Sequence, residues 1–299
     1  MRKAALLLAA VPFVLCQTTS PKRGLALVES SARHKDDDQH WTSGDLTWYY
    51  NWRSTPSSEI DHTKLQYVPM MWGANSSDTS FYTEVKNLKD NGYNITWVLG
   101  FNEPDGCVNG GSCIDAETAA EVWIQQIEPL KDLGIQLGAP AVTGAPSGFN
   151  WLQNWFTACA GKCTPDFIPI HWYGNFEGLA SHVGRVNATY ENMTTWITEY
   201  AYANADLEES QDFYNQSSAF FDRIDYITHY SYFGAFRSDV SNVGKNAAML
   251  TQKGELTDIG AWYLGQEATG NVPKGDSTRV ASFAGSVLLV LVAALWCLG

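Results

Sequence analysis

The sequence predicts an α/β protein whose strands and helices alternate and close into a single (β/α)8 barrel of the TIM type. Three observations lead to this prediction. Apolar runs of strand length recur along the chain, helical patterns separate most of them, and the residues that remain once the two chain ends are set aside suffice for a single large α/β domain. Strands that are apolar throughout belong in a parallel sheet covered by helices, and about eight such units close most economically as a barrel.

The predicted elements follow one another without an internal repeat. The strands are 46–52, 67–72, 96–101, 135–139, 167–173, 195–200, 224–233 and 247–251. Apolar residues recur at helical spacing between most of them, as at Phe81, Val85 and Leu88, where Gly92 closes the helix. Because the connection between residues 52 and 67 is short and the last strand is weak, we expect the barrel to be irregular.

The N-terminal segment has the features of a secretory signal. Arg2 and Lys3 precede an apolar run that ends at Cys16, so residues 1–16 are predicted to be a cleaved signal peptide, with a buried N-terminal helix as the alternative. Residues 17–43 are polar and are predicted to form a loose arm, in which the Lys22-Arg23 pair offers a later processing site. The barrel domain is then expected over residues 44–265.

The C-terminal segment resembles a lipid-attachment signal. Residues 280–299 are uncharged, apolar and long enough to cross a bilayer, but no basic residue follows them. They come after a polar spacer, residues 266–279, that contains small residues, which is typical of a glycosylphosphatidylinositol (GPI) attachment signal. A retained membrane helix is the alternative. We therefore expect a secreted monomer at the cell surface or in the cell wall, tethered to the membrane by a lipid.

Charge and cysteine usage agree with secretion. The net charge is −13, from 19 basic and 32 acidic residues, which argues against a nucleic-acid partner because phosphates require Lys and Arg. Four cysteines form the close pairs Cys107/Cys113 and Cys159/Cys163, which predict two disulfides; a zinc site fits the spacing less well, and we expect no metal and no cofactor. The predicted N-glycosylation sites are Asn75, Asn94, Asn187, Asn192 and Asn215.

Two predicted strands end on a carboxylate. Glu103 follows the strand in "TWVLGFNEPDG", and Glu199 follows the apolar residues of "TTWITEYAYA". In a (β/α)8 barrel the carboxyl ends of the strands surround the active face, so both side chains should meet at the mouth of the barrel. Two facing carboxylates can cleave a glycosidic bond. The alternative is a pair of structural, salt-bridged acids, although few Lys or Arg residues are near them in the sequence.

Four motifs resemble one family of glycosidases. The stretches "MMWG" (70–73), "GFNEPD" (100–105), "HWYG" (171–174) and "WITEYA" (196–201) together are similar to glycoside hydrolase family 128, the secreted fungal β-1,3-glucanases that are also called alkali-sensitive linkage protein-like glycosyl hydrolases. The resemblance extends from about Gly44 to Gly265. It implies a (β/α)8 fold and hydrolysis of cell-wall β-1,3-glucan with retention of configuration.

The resemblance also implies roles for individual residues. Glu103 would be the general acid/base, Glu199 the nucleophile, and Asn102 a hydrogen-bond partner of the sugar 2-hydroxyl. Related enzymes of the Asn-Glu-Pro clan place their two glutamates after strands four and seven, whereas the strands counted above place them after three and six. The interval agrees, and the absolute count does not.

Aromatic residues at strand ends are candidate sugar contacts. Pyranose rings present apolar C–H faces that pack on aromatic planes, and the candidates are Trp48, Tyr50, Trp52, Trp72, Trp172, Tyr173, Tyr230 and Tyr232, with His171 as a candidate partner of a glutamate. The alternative for each is a place in the barrel core. For the whole protein, the alternatives are a noncatalytic glucan-binding, wall-organising protein, or the same chemistry on mannan or another β-glucan such as cellulose.

Overall fold

A computed structural model describes residues 19–275, apart from 30–33, 43, 75, 76, 78 and 109, and these residues form a ring of parallel strands surrounded by helices. The strands are β1 (Arg23–Ala26), β2 (Trp48–Tyr50), β3 (Gln66–Tyr67), β4 (Trp97–Val98), β5 (Gln136–Leu137), β6 (Phe167–Tyr173), β7 (Thr194–Ala201) and β8 (Ile227–Tyr232). The α-helices are α1 (Ser80–Asp90), α2 (Ala116–Gln126), α3 (Pro146–Cys159), α4 (Phe176–Thr189), α5 (Leu207–Arg223) and α6 (Asp258–Tyr263).

The strands close into the predicted barrel. Six of them pair in the order β3-β2-β1-β8-β7-β6, and β4 pairs with β5. Single parallel bridges from Met70 to Leu99 and from Gly138 to Phe167 join the two sheets into one ring. The barrel is irregular, as expected, because β3, β4 and β5 each have only two residues.

Local sequence signals set the helix boundaries. Asp115 caps α2 by accepting a hydrogen bond from the Thr118 amide at 2.8 Å. The apolar stripe of α1 packs inward through Phe81 and Val85, and Gly92 beyond its end adopts a φ of +90°, which suits glycine. These helices therefore follow the predicted periodicity.

The prediction of a loose N-terminal arm over residues 17–43 is wrong. Residues Arg23–Ala26 form β1 between β2 and β8, and Lys35–Thr42 form a 3-10 helix. Arg23 is buried, donates to the Tyr230 hydroxyl at 3.0 Å and lies 3.6 Å from Asp45, so cleavage after Lys22-Arg23 would cut the barrel wall. The apolar run here, 25–28, has only four residues, and the strand itself begins on the charged Arg23, so the sequence signal for a strand is weak.

This missed strand resolves the disagreement in strand number. Counting from β1, Glu103 follows β4 and Glu199 lies on β7. The predicted last strand, 247–251, is not a strand, since Leu250 makes only isolated bridges to Arg237 and Leu256. The eighth strand comes from the start of the described chain and not from its end.

The predicted spacer is part of the folded domain as far as the structure describes it. Residues 266–275 run along the barrel, where Lys274 accepts a hydrogen bond from Ser238 at 2.7 Å and Asn271 donates to Leu256 at 2.9 Å. Within the described part of the chain, none of the helices is both long and apolar enough to cross a bilayer. The predicted signal (1–16) and tail (280–299) lie outside the described residues.

Side chains along each strand alternate between the barrel interior and its helix-covered outer side. On β2, Trp48 and Tyr50 point inward and Tyr49 points outward into the main core. At the amino ends of the strands the interior is filled by a group of rings that we call the floor: Trp48, Trp97, Phe167, Trp196 and His229. The opposite end, at the carboxyl ends of the strands, is the mouth.

Candidate active site

Glu103 lies at the mouth on a strained turn. Its φ is +41°, a value that few residues other than glycine adopt, and such strain is concentrated at functional sites. Its amide donates to the Ala141 carbonyl at 2.7 Å, which ties the turn after β4 to the segment after β5. The strained turn therefore fixes the direction of this carboxylate, whose side chain is 14% exposed.

Glu199 reaches the mouth through an irregularity in β7. Ile170 of β6 pairs with Ile197, but the next residue, His171, pairs with Glu199, so Thr198 is an extra residue. Ile197 and Tyr200 both pack on the outer side, whereas strict alternation would also have placed Glu199 there. The bulge turns Glu199 inward, as bulges beside active sites commonly re-aim a side chain.

His171 bridges the two carboxylates. Its Nδ1 lies 2.9 Å from Glu103 Oε1 and 3.6 Å from Glu199 Oε2. One carboxylate oxygen from each glutamate and a ring nitrogen of His171 all lie within 4.8 Å of one another. The two glutamates and the histidine therefore form one compact cluster at the mouth.

Aromatic donors hold Glu199. The Tyr173 hydroxyl donates to Glu199 Oε2 at 2.5 Å, and the Trp52 indole N–H donates to Oε1 at 2.9 Å. The Tyr50 hydroxyl lies 3.5 Å from Oε1 and donates to the Thr198 carbonyl at 2.9 Å, which also supports the bulge. Both oxygens of this carboxylate are thus oriented by neutral donors.

The charges around the cluster favour a protonated histidine. Burial lowers the pKa of His171, but Glu199 and Glu103 raise it more, so the net direction is upward. Burial, followed by the charge of Glu199, raises the pKa of Tyr173 well above its ordinary value, so this hydroxyl stays a donor. In the described part of the chain no Lys or Arg pairs with either glutamate, which argues against the structural salt-bridge alternative.

The same cluster has a donor set that a divalent ion could use, namely two carboxylates and an imidazole. However, Tyr173 and Trp52 already occupy both oxygens of Glu199 with hydrogen bonds. The absence of a metal and of a cofactor stays a prediction.

A cleft of about 810 Å³ opens over the carboxylates at the mouth. Seven of the predicted site residues line it: Asn102, Glu103, Trp52, Trp72, Trp172, Tyr173 and Glu199. His171 and Tyr50 are buried beneath it, in contact with the glutamates. The cleft therefore brings most of the candidate residues together.

Three candidate sugar contacts are not in the cleft. Trp48 belongs to the floor, where its ring packs on Trp196 with centroids 5.0 Å apart. Tyr230 and Tyr232 are fully buried on the outer side of β8, because the period of two turns Ser231 inward instead. Each was predicted from its residue type near a strand end, without its inward or outward direction.

Other lining residues were missed. Among them, Phe233 faces the mouth because it lies two residues beyond the inward-facing Ser231, a signal that the period of two could have given. The remaining missed residues come from loops: Val28, Gly110, Thr143, Gly144, Ala145, Ala203, Asn242 and Val243.

Both predicted disulfides form. The bridge between Cys107 and Cys113 closes a loop beside Glu103, and the Asn102 side chain donates to the Gly110 carbonyl of this loop at 3.1 Å. The bridge between Cys159 and Cys163 lies at the end of α3. Only the first bridge is connected to the cleft.

The predicted glycosylation sites differ in exposure. Asn94 and Asn192 are exposed and precede β4 and β7, at the end of the barrel opposite the mouth. Asn187 and Asn215 are half-buried on α4 and α5, and Asn75 lies outside the described residues. Glycans on the first two sites would leave the cleft open.

Comparison with known proteins gives consistent matches. The family model described as "Glycosyl hydrolase catalytic core" matches residues 24–263. Alkali-sensitive linkage protein 1 of Schizosaccharomyces pombe is 32% identical over 258 residues, which cover 83% of this chain and 45% of that protein. The chain thus spans less than half the length of this curated relative.

Solved structures share the fold. An endo-β-1,3-glucanase of glycoside hydrolase family 128, subgroup II, from Sorangium cellulosum is 27% identical with a TM-score of 0.67, covering 83% of this chain and 100% of that one. An oligosaccharide-binding protein of the same family, subgroup VII, from Cryptococcus neoformans is 25% identical with a TM-score of 0.65, covering 83% of this chain and 96% of that one.

Proposed function

This chain belongs to glycoside hydrolase family 128, and we propose that it hydrolyses β-1,3-glucan with retention of configuration at the anomeric carbon. The observation that carries the proposal is the short distance between the two glutamates. One carboxylate oxygen of Glu103 and one of Glu199 lie within 4.8 Å of each other. Retaining enzymes hold their carboxyl groups about 5 Å apart, whereas inverting enzymes leave roughly 6.5–9.5 Å to admit a water molecule. A pair this close favours direct attack by one carboxylate.

In the first step, Glu103 gives its proton to the glycosidic oxygen while a Glu199 oxygen attacks the anomeric carbon. The bond to the leaving sugar breaks, that sugar departs as an alcohol, and a glycosyl ester forms on Glu199. The donors Tyr173 and Trp52 orient the attacking carboxylate before the reaction, so little rearrangement is needed.

In the second step, Glu103 acts as a base. It takes a proton from a water molecule, the water oxygen attacks the anomeric carbon, and the ester bond to Glu199 breaks. His171, 2.9 Å from Glu103, keeps that carboxyl group directed at the reacting oxygen in both steps. The chain thereby returns to its starting protonation state.

Asn102 is suited to hold the sugar ring. Its amide nitrogen is engaged by the Gly110 carbonyl, while its buried Oδ1 has no hydrogen-bond partner among the described residues. An unpartnered acceptor at the cleft wall can receive a hydrogen bond from a substrate hydroxyl, and we assign it to the 2-hydroxyl, where such a bond strengthens in the transition state.

The test is to incubate the purified domain with laminarin, cellulose and mannan. We expect new reducing ends from laminarin only, and proton NMR should detect the β-anomer first. Release of the α-anomer first would contradict the retaining mechanism, and preference for cellulose or mannan would contradict the substrate.

A noncatalytic glucan-binding protein is the second candidate, since the Cryptococcus neoformans relative is named an oligosaccharide-binding protein. The two carboxylates and their matched donors favour catalysis here, because binding alone requires neither an acid nor a nucleophile. Tight laminarin binding without any release of reducing ends would instead support the binding function.

We also propose that the protein is secreted and tethered outside the cell, near its substrate. The sequence features of both chain ends support this, together with the exposed sequons at Asn94 and Asn192. Phosphatidylinositol-specific phospholipase C should release the protein from membranes. A membrane-bound form that still contains Cys297 would show a retained helix instead.

A further inference from the structure

Trp172 lines the cleft while one face of its indole packs on His182. The two rings are stacked, with centroids 5.4 Å apart and 29° between their planes. His182 comes from α4, is 7% exposed and stands edge-on to Phe149 at 5.5 Å. Burial lowers its pKa to about 4, so the ring that supports Trp172 is neutral at ordinary pH.

The edges of the same indole are also confined. Its N–H donates to the Asn175 carbonyl at 3.0 Å. A Cβ on Gly178 would lie 2.3 Å from the indole Cζ2, one on Gly144 would lie 2.8 Å from Cε3, and one on Gly174 would lie 3.2 Å from Nε1. At Gly178 and Gly144 the backbone lies closer to this ring than a Cβ would allow, and at Gly174 a Cβ would fit only if the ring shifted slightly.

The backbone does not require glycine at these positions. None of Gly144, Gly174 and Gly178 has a φ in the left-handed region, so another residue could adopt each conformation. The shortest contact at each position is with the indole, which needs the space that a Cβ would take; a Cβ would also lie 2.9 Å from Asn175 Oδ1 at Gly178 and 3.1 Å from the His171 carbonyl at Gly144. Three different loop or helix positions thus converge on holding a single side chain.

We propose that Gly144, Gly174, Gly178 and His182 form a cradle that fixes Trp172 as a rigid stacking platform for a glucosyl unit of the bound polymer. This inference rests on the proposed function. A pyranose ring stacks well only on an aromatic plane of fixed orientation, and a platform held before binding saves the cost of ordering it. The carboxylates are held by other residues, so the cradle acts on binding rather than on bond cleavage.

The test is a double-mutant cycle read out by KM, kcat and the Kd for laminari-oligosaccharides. We expect Trp172→Ala to raise KM and Kd by roughly tenfold, the equivalent of about 1.4 kcal/mol, with kcat changed by less than about twofold. Gly178→Ala should shift KM and Kd in the same direction. The double variant should bind no worse than Trp172→Ala alone, because the cradle acts only through the indole.

Gly184→Ala is the matched control. It lies on the same helix, α4, and a Cβ there would meet nothing within 4 Å, so wild-type binding is expected. The proposal is overturned if Gly178→Ala binds as wild type does, or if its effect adds in full to that of Trp172→Ala. If the enzyme cleaves another polymer instead, the substrate assignment is wrong, and the same double-mutant cycle is then measured with that polymer. Wild-type binding of that polymer by Gly178→Ala would show that the cradle proposal is wrong as well.

Discussion

The floor and the mouth of the barrel are built from the same strands and the same aromatic residue types, yet their surroundings differ. Trp48 and Trp52 lie four residues apart near one strand and point the same way. Trp48 packs among rings of the floor, with Trp196 at 5.0 Å, whereas Trp52 donates to Glu199 at 2.9 Å. Aromatic content therefore marks the barrel interior, and a hydrogen bond to one of the two site carboxylates distinguishes the ring at the mouth from the ring in the floor.

The two interior histidines differ in the same way. His229 in the floor stacks on Trp196 with centroids 3.7 Å apart, and burial lowers its pKa to about 4. His171 at the mouth is also buried, but its two carboxylate neighbours raise its pKa. Burial keeps the first ring neutral within the packing, whereas the two carboxylates favour the charged form of the second.

The largest expected effect belongs to the mouth. Glu199→Gln should reduce laminarin hydrolysis by at least roughly 10⁴-fold while leaving glucan binding in place, because the nucleophile is lost and the shape is kept. Glu103→Gln should be partly rescued by substrates with good leaving groups, which need little protonation. Initial rates and calorimetric binding measure both.

Glu121→Gln, on the exposed side of α2, serves as the control and should keep wild-type activity. Near-normal laminarin hydrolysis by either active-site variant would contradict the assignment of that glutamate.

The contrast also explains how much the sequence could predict. The barrel, the two glutamates and Asn102 follow from long apolar strands such as β6 and β7 and from motif resemblance. The strand β1 was hidden because it has only four residues, Arg23–Ala26, and begins on a charged residue within a segment that is polar overall. The bulge at Thr198 and the positive φ of Glu103 are set by tertiary contacts that no local pattern records.

The second prediction sets a floor tryptophan against a mouth tryptophan. Trp196→Ala should lower the free energy of unfolding by about 3–5 kcal/mol, because it removes a fully buried ring that contacts four others. Trp72→Ala should change stability by less than about 0.5 kcal/mol, since this ring is 42% exposed, but should raise KM. Urea denaturation and steady-state kinetics measure the two effects.

Equal losses of stability in the two variants would remove the distinction between floor and mouth. Hydrolysis by Trp196→Ala should be measured at low temperature and corrected for the folded fraction, where we expect a kcat close to that of the wild type.

The third prediction concerns pH. His229 is neutral when folded, with its pKa lowered from 6.5 to about 4, so the unfolded chain binds the proton more readily. Its contribution to stability is complete above pH 6.5 and is lost as the pH falls towards 4, by an amount on the order of 3 kcal/mol. His229→Phe keeps a ring of similar shape and should reduce the loss of stability between pH 7 and pH 4.5.

Wild type and His229→Phe should be compared by urea denaturation at both pH values, with His62→Phe, an exposed position, as the control. Parallel pH profiles for the wild type and His229→Phe would show that the floor histidine is not the group that titrates.

The smallest effects should come from removing the disulfides. One of them lies at the rim of the mouth, and the other lies away from the cleft. Serine in place of Cys107 and Cys113 frees the loop that holds Asn102 through Gly110, so kcat/KM should fall by roughly tenfold. Serine in place of Cys159 and Cys163 opens a still shorter loop at the end of α3. The cost in stability should be below about 3 kcal/mol for each pair, since short loops constrain the unfolded chain little. The variant without the second pair is the matched control, and it should lose stability without losing kcat/KM. An equal loss of kcat/KM in the two variants would mean that the rim loop does not position the mouth.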